Sequence, residues 1–214
     1  MASTANKRQL KVEVVAYKRQ RILEEGSRLF FTRGYEASTL DMLADRLHVT
    51  KPFLYSYYRS KGEILSAICE TGIRETLEAM EAARETPASP RDMLAKMVAG
   101  SARVVIERQE YIVVYQREMK NLERDDARRI LNLRRDFDHL IANVVEDGES
   151  RSQFKVADPG LAAVWIGGLL SWIPNWYVPG GSRSADEVVD HVVDASMRLV
   201  GAQLLPPPAT APAI

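Results

Sequence analysis

Four times along the chain a serine is followed three residues later by an acid: Ser38 and Asp41, Ser60 and Glu63, Ser89 and Asp92, Ser184 and Glu187. At this spacing the serine oxygen accepts from the amide at the third helical position, while the acid reaches back to the serine's own amide. Each pair therefore marks a helix start. Asp158 followed by Pro159 marks another, because proline in a first turn forfeits no hydrogen bond. Apolar residues recur at helical spacing between these signals, and no strand-like alternation or solenoid-length repeat interrupts them. The pattern predicts an all-α fold of about nine helices, near 14–33, 38–47, 50–57, 60–85, 89–107, 109–121, 124–148, 158–176 and 184–204.

The ends read differently. Residues 1–13 are polar and basic (Lys7, Arg8, Lys11) without an apolar stripe, and are expected to form a disordered basic arm. Pro206-Pro207-Pro208 cannot continue a helix, so 206–214 is expected to be a disordered tail. Between them, 14–62 is expected to form one domain and 63–205 a second.

The formal charge of zero hides a division. Residues 1–62 carry twelve Lys and Arg against six Asp and Glu, and the remainder carries seventeen against twenty-three. A basic end on an acidic body suits a surface that meets nucleic acid; two solvated faces are the plain alternative. The most apolar run, Leu161 to Trp172, is too short to span a bilayer, and no secretory leader pattern opens the chain. Cys69 has no partner cysteine for an intrachain disulfide, so a cytoplasmic location without membrane association is expected.

The first three helices carry the functional signal. Ile22, Leu29 and Phe30 share a face of the first, and Leu40, Leu43, Ala44 and Leu47 a face of the second. After the turn at His48-Val49, Thr50 can cap a short third helix, Lys51 to Tyr58. Two short helices on a supporting one make a helix-turn-helix, whose second helix enters the major groove N-terminus first. That geometry turns Thr50, Lys51, Pro52, Phe53 and Ser56 toward bases or phosphates. Leu54 and Tyr58 turn inward, and Tyr55 and Tyr57 can send hydroxyls to the DNA backbone. The amides at Ser38 and Thr39, and Lys61 at the start of the fourth helix, suit phosphates. For the tyrosines, core packing is the competing assignment.

Three stretches carry a likeness: Arg21 to Phe30, then Gly34-Tyr35-Glu36-Ala37-Ser38-Thr39-Leu40-Asp41-Met42-Leu43-Ala44, and Val49-Thr50-Lys51-Pro52-Phe53-Leu54-Tyr55 running on to Ser60-Lys61-Gly62-Glu63-Ile64-Leu65. In order and spacing they resemble the TetR family of bacterial regulators. His48 stands where that family has glycine, Gly26 where it prefers alanine, and Tyr57-Tyr58 where it has His-Phe. The resemblance implies a homodimer that binds a palindromic operator in double-stranded DNA. It also implies a C-terminal helical domain for ligand binding and dimerisation.

In that second domain Trp165, Leu169, Trp172 and Trp176 recur at i, i+4, i+7 and i+11, so they share a face. The segment from Trp165 to Gly181 looks like the eighth helix of family members answering to acyl-CoA thioesters. Trp165, Leu169 and Trp172, with Tyr111, Tyr115 and Arg103, are candidates for a ligand pocket; core or dimer packing competes for each. Pro174 should kink or end the helix. By the same resemblance Val188, Val189, Val192, Val193, Leu199 and Val200 would lie in a dimer interface.

The chain lacks a phosphate-binding glycine loop, a nucleophile elbow and a zinc-ligand set, and His48, His139 and His191 are far apart. No enzymatic activity, cofactor or metal is expected. The function expected is a DNA-binding transcriptional regulator, a repressor released by a small hydrophobic or acyl-CoA-type effector. The rival expectation keeps the fold as a DNA-organising or division-control dimer without an effector.

Overall fold

A computed structural model describes residues 2–202, with side chains from Gln9 onward except Lys11. Among the described residues the chain is helical without a strand: α1 (Ala2–Arg33), α2 (Leu40–Leu47), α3 (Lys51–Tyr55), α4 (Lys61–Arg84), α5 (Pro90–Glu107), α6 (Gln109–Glu118), α7 (Arg124–Ser150), α8 (Pro159–Trp172) and α9 (Ala185–Leu199). The helix-turn-helix comes first and the larger helical portion follows, as expected from the caps.

Two boundaries differ in an instructive way. The helix expected from residue 14 begins at Ala2, so residues 2–13 are not a disordered arm. Ala, Lys, Arg, Gln, Glu and Leu dominate there, and these residues sustain a helix through low entropic cost even where no apolar face is buried. The side chains of Lys7, Arg8 and Lys11 are outside the described set, and the expected tail at 206–214 lies outside the described residues. The second difference is at α2, where Thr39 rather than Ser38 is the N-cap. The Thr39 hydroxyl accepts from the Met42 amide at 3.2 Å. Ser38 is buried instead and donates to the Gly34 carbonyl at 2.7 Å.

The other marked starts hold. Ser184 and Glu187 form the full reciprocal pair, and Asp158 accepts from the Leu161 amide at 2.9 Å. Ser60 accepts from the Glu63 amide at 3.0 Å, while the Glu63 carboxylate takes the Arg59 amide. The helix carrying Pro174 leaves α geometry at Trp172 and closes with a 3₁₀ turn over Ile173–Asn175.

The helices form two compact units, Met1–Glu75 with Glu107–Arg134 and Thr76–Ile106 with Arg135–Ile214, so the division does not fall at residue 62. In the first, Ile22, Leu29, Leu43, Leu54, Ile64, Leu65 and Ile68 are fully buried. Each contributes roughly 1.5–3 kcal/mol relative to exposure. Gly26 permits the close approach of α1 to α4: a Cβ there would lie 3.2 Å from Ile64 Cγ2 and 3.3 Å from Ile68 Cδ1. Helix α6 is fastened to the same unit. Glu110 accepts from the Ser27 hydroxyl at 3.4 Å, and Glu118 from the Tyr35 amide at 3.2 Å.

In the second unit α8 buries Ala162, Ala163, Ile166 and Leu170. Helix α9 buries Val188, Val189 and Val192, and Val200 just beyond it is also buried. These valines therefore belong to the core of one chain, which corrects their expected place at a dimer interface. Their period-3.6 stripe is the same for either destination.

Candidate nucleic-acid interface

The turn between α2 and α3 is held by His48, which takes the left-handed conformation (φ +54°) that glycine usually fills. Histidine tolerates this region better than most residues. The Val49 amide then closes on the Ala44 carbonyl at 3.0 Å, aiming the chain into α3.

The third helix, expected to run to Tyr58, ends at Tyr55, and α3 with the turn after it is anchored on one side. Leu54 and Tyr58 are buried, as their spacing predicted. The Arg19 guanidinium of α1 lies 4.6 Å from the Tyr58 ring centre, and burial raises the Tyr58 phenol above its ordinary pKa. The opposite side is open. Thr50, Pro52, Tyr55 and Ser56 are exposed, Tyr55 at 50%. Thr50 caps α3 through its backbone only, leaving its hydroxyl out of the cap. The Ser56 hydroxyl donates to the Phe53 carbonyl at 2.6 Å. Phe53 and Tyr57 are half-buried against each other, ring centres 5.1 Å apart. The Lys18 ammonium sits 5.6 Å from the Phe53 centre.

Two cations expected at phosphates already have partners. Lys51 pairs with Asp41, Nζ to Oδ2 2.9 Å, and that carboxylate raises the lysine's pKa through a hydrogen bond and charge attraction. Lys61 donates to the carbonyls of Tyr35 at 2.8 Å and Ser38 at 2.9 Å, over the Tyr35 ring. Its ammonium thus holds the α1–α2 turn against the start of α4. The Ser38 amide is not free for a phosphate, because Ser38 is buried and the amide donates to the Tyr35 carbonyl at 3.1 Å, whereas Thr39 lies at the surface. The sequence singles out neither Lys18 nor Arg19, and it marks Asp41 only as a helix-start acid. Lys18-Arg19 is visible as a basic pair, but the aromatic rings it meets are more than thirty residues away in the chain.

The six pocket candidates do not converge. Trp165, Leu169 and Trp172 are 51%, 37% and 63% exposed, and with Leu161 and Val164 they form an apolar stripe on the outer side of α8, with exposed Trp176 beyond its end. Helix α8 is apolar all round, and the face of Ala162, Ala163, Ile166 and Leu170 turns inward. Arg103 reaches Asp186 at 2.8 Å. Tyr115 is half-buried. Tyr111 is buried, and an added Cβ on Gly72 of α4 would meet its Cβ at 3.4 Å, so Gly72 marks a close helix approach. Tyr111 also lines a cleft of about 450 Å³ within the first unit, with Arg19, Tyr58, Glu70, Arg74 and Arg108. Among the described residues no cluster of His, Cys, Asp or Glu is arranged to hold a metal, and no helix is long and apolar enough to cross a membrane.

A helix-turn-helix with an exposed second helix, carried on an all-helical body, defines a DNA-binding regulator of the one-component type. Residues 22–68 match the profile of the bacterial regulatory proteins of the tetR family, and residues 87–200 match the tetracyclin repressor-like C-terminal domain. The chain belongs to the TetR family. It is 23% identical over 176 residues to the transcriptional repressor KstR2 of Mycolicibacterium smegmatis, covering 81% of this chain and 85% of that one. The crystal structure of the TetR-family regulator PfmR from Thermus thermophilus superposes with a TM-score of 0.77 at 30% identity, over 83% of this chain and 97% of that one. AibR, solved with isovaleryl coenzyme A and operator DNA, shares the fold, with a TM-score of 0.74 at 21% identity over 86% of this chain and 98% of that one.

Proposed function

We propose that two copies of this chain grip a palindromic operator and repress transcription until a small hydrophobic or acyl-CoA-type effector releases them. The observation that carries the reading is the two-sided segment from Thr50 to Tyr58 around α3: Leu54 and Tyr58 buried, Thr50, Pro52, Tyr55 and Ser56 open. A rod held on one side and bare on the other suits insertion into a major groove.

The exposed α8 stripe supports pairing of the two copies. Five large apolar side chains on one face of a helix, with Trp176 just beyond it, exceed what a monomer ordinarily leaves in water. A two-fold axis through that stripe would bury it against itself. The repressor role draws on KstR2, and the effector class on AibR with its isovaleryl coenzyme A. In a two-state scheme the effector changes operator affinity by its preference for one state, with couplings of ~1–3 kcal/mol.

Selection of duplexes from a random pool, followed by titration of the selected duplex with isovaleryl and longer-chain acyl-CoA, tests this. Release of DNA by one thioester series supports the reading. A selected duplex held equally with every thioester overturns the effector class, and failure to enrich any sequence overturns the operator.

A further inference from the structure

The pair between Asp41 and Lys51 stands on the surface assigned to DNA, and that placement is not explained by stability. Its side chains are 67% and 42% exposed, and an exposed pair contributes little to folding. A bare carboxylate on a DNA face would oppose phosphate, but this one is paired with Lys51, so its effect on binding runs through that lysine. Helix α2 does not need it as a cap, since Thr39 supplies that oxygen. What Asp41 does do is take the Lys51 ammonium, at the first residue of α3, and hold it 2.9 Å from its own Oδ2.

We propose that Asp41 determines sequence selectivity: it keeps the Lys51 ammonium off passing phosphates and orients it for a base edge in the groove. A lysine free to swing contacts phosphate on any duplex. A tethered one rewards only the sequence that places an acceptor, such as guanine O6 or N7, where the tether points. Asp41 is thus a positioning residue acting through Lys51, and the inference rests on the assignment of α3 to DNA.

The test is the affinity of the full chain for a mixed-sequence duplex and for the duplex enriched from a random pool, each as a function of salt. Asp41→Asn is expected to tighten the mixed-sequence complex about three- to fivefold, the range open to an exposed pair. It should steepen its salt slope by about one and leave the selected complex no tighter, so that the selectivity ratio falls. Asp41→Glu restores the ratio. In a Lys51→Ala background Asp41→Asn shifts both duplexes alike and leaves the ratio unchanged. Asp41→Ser, tolerated at a helix start, replaces Asp41→Asn if the latter melts early.

In the wild-type background equal tightening on both duplexes or no change on either, or a change in the ratio that survives the loss of Lys51, overturns the proposal and leaves simple repulsion or nothing. Wild-type protein whose binding to the mixed duplex does not weaken with salt would instead sink the assignment of this face to DNA.

Discussion

Lys61 donates to the carbonyl oxygen of Tyr35 at 2.8 Å, tying the start of α4 to the turn that follows α1. With the second bond to Ser38, its charge is spent on backbone oxygens. Lys61→Met therefore removes one structural bridge, at a cost of about 1.5–3 kcal/mol for a hydrogen bond to a charged group. Urea unfolding should show that loss, while the salt slope of DNA binding stays unchanged. A slope lower by about one would return Lys61 to the phosphates.

The outer stripe of α8 and the inner stripe of α9 should respond oppositely to an introduced charge. Trp172→Asp places the charge at a side chain 63% exposed and is expected to give a folded monomer by sedimentation, with helicity retained. DNA affinity then falls by about a hundredfold or more, since two half-sites no longer act together. Val189→Asp, at a side chain 2% exposed, buries an unpaired carboxylate and should abolish folding. A Trp172→Asp protein that remains dimeric would place the interface elsewhere.

Glu70 of α4 gives the first unit a defined acid response. Burial pushes its carboxyl up, but hydrogen bonds from Arg74 and Arg129 outweigh this and hold it below its ordinary value. A carboxylate depressed in the folded state adds stability above its unfolded pKa and loses it as pH falls through the folded value. Glu70→Gln should accordingly be less stable than wild type at neutral pH, and the two unfolding curves should converge in acid. Curves that run parallel from pH 7 into acid would mean that these arginines do not act on Glu70.

Much of the head was legible because its signals are local. His48 in the left-handed turn, Thr50 at the start of α3, and buried Leu54 and Tyr58 all follow from residue types and spacing within one stretch. The length of α1 was not legible, since residues 2–13 are helical without the apolar stripe that announces a helix. The carbonyl bonds of Lys61 were not legible because their acceptors lie 23 and 26 residues back, beyond the reach of a spacing argument. The exposure of the α8 tryptophans was hidden for a related reason. Periodicity shows that Trp165, Leu169 and Trp172 share a face, but a helix apolar on both sides does not declare which one turns inward. Ser38 and Thr39 are adjacent capping residues, and the choice between them fell to the buried bond from Ser38 to Gly34.

The central claim is that the open face of α3 enters DNA, once from each of two chains. Hydroxyl-radical footprinting on the selected duplex measures it most directly, comparing wild type with a Thr50→Ala, Tyr55→Ala double variant whose fold is intact. Two protected segments centred about 10–10.5 base pairs apart, or a multiple of that spacing, and lost in the variant, are expected. A single protected segment, or a footprint indifferent to both substitutions, would contradict it.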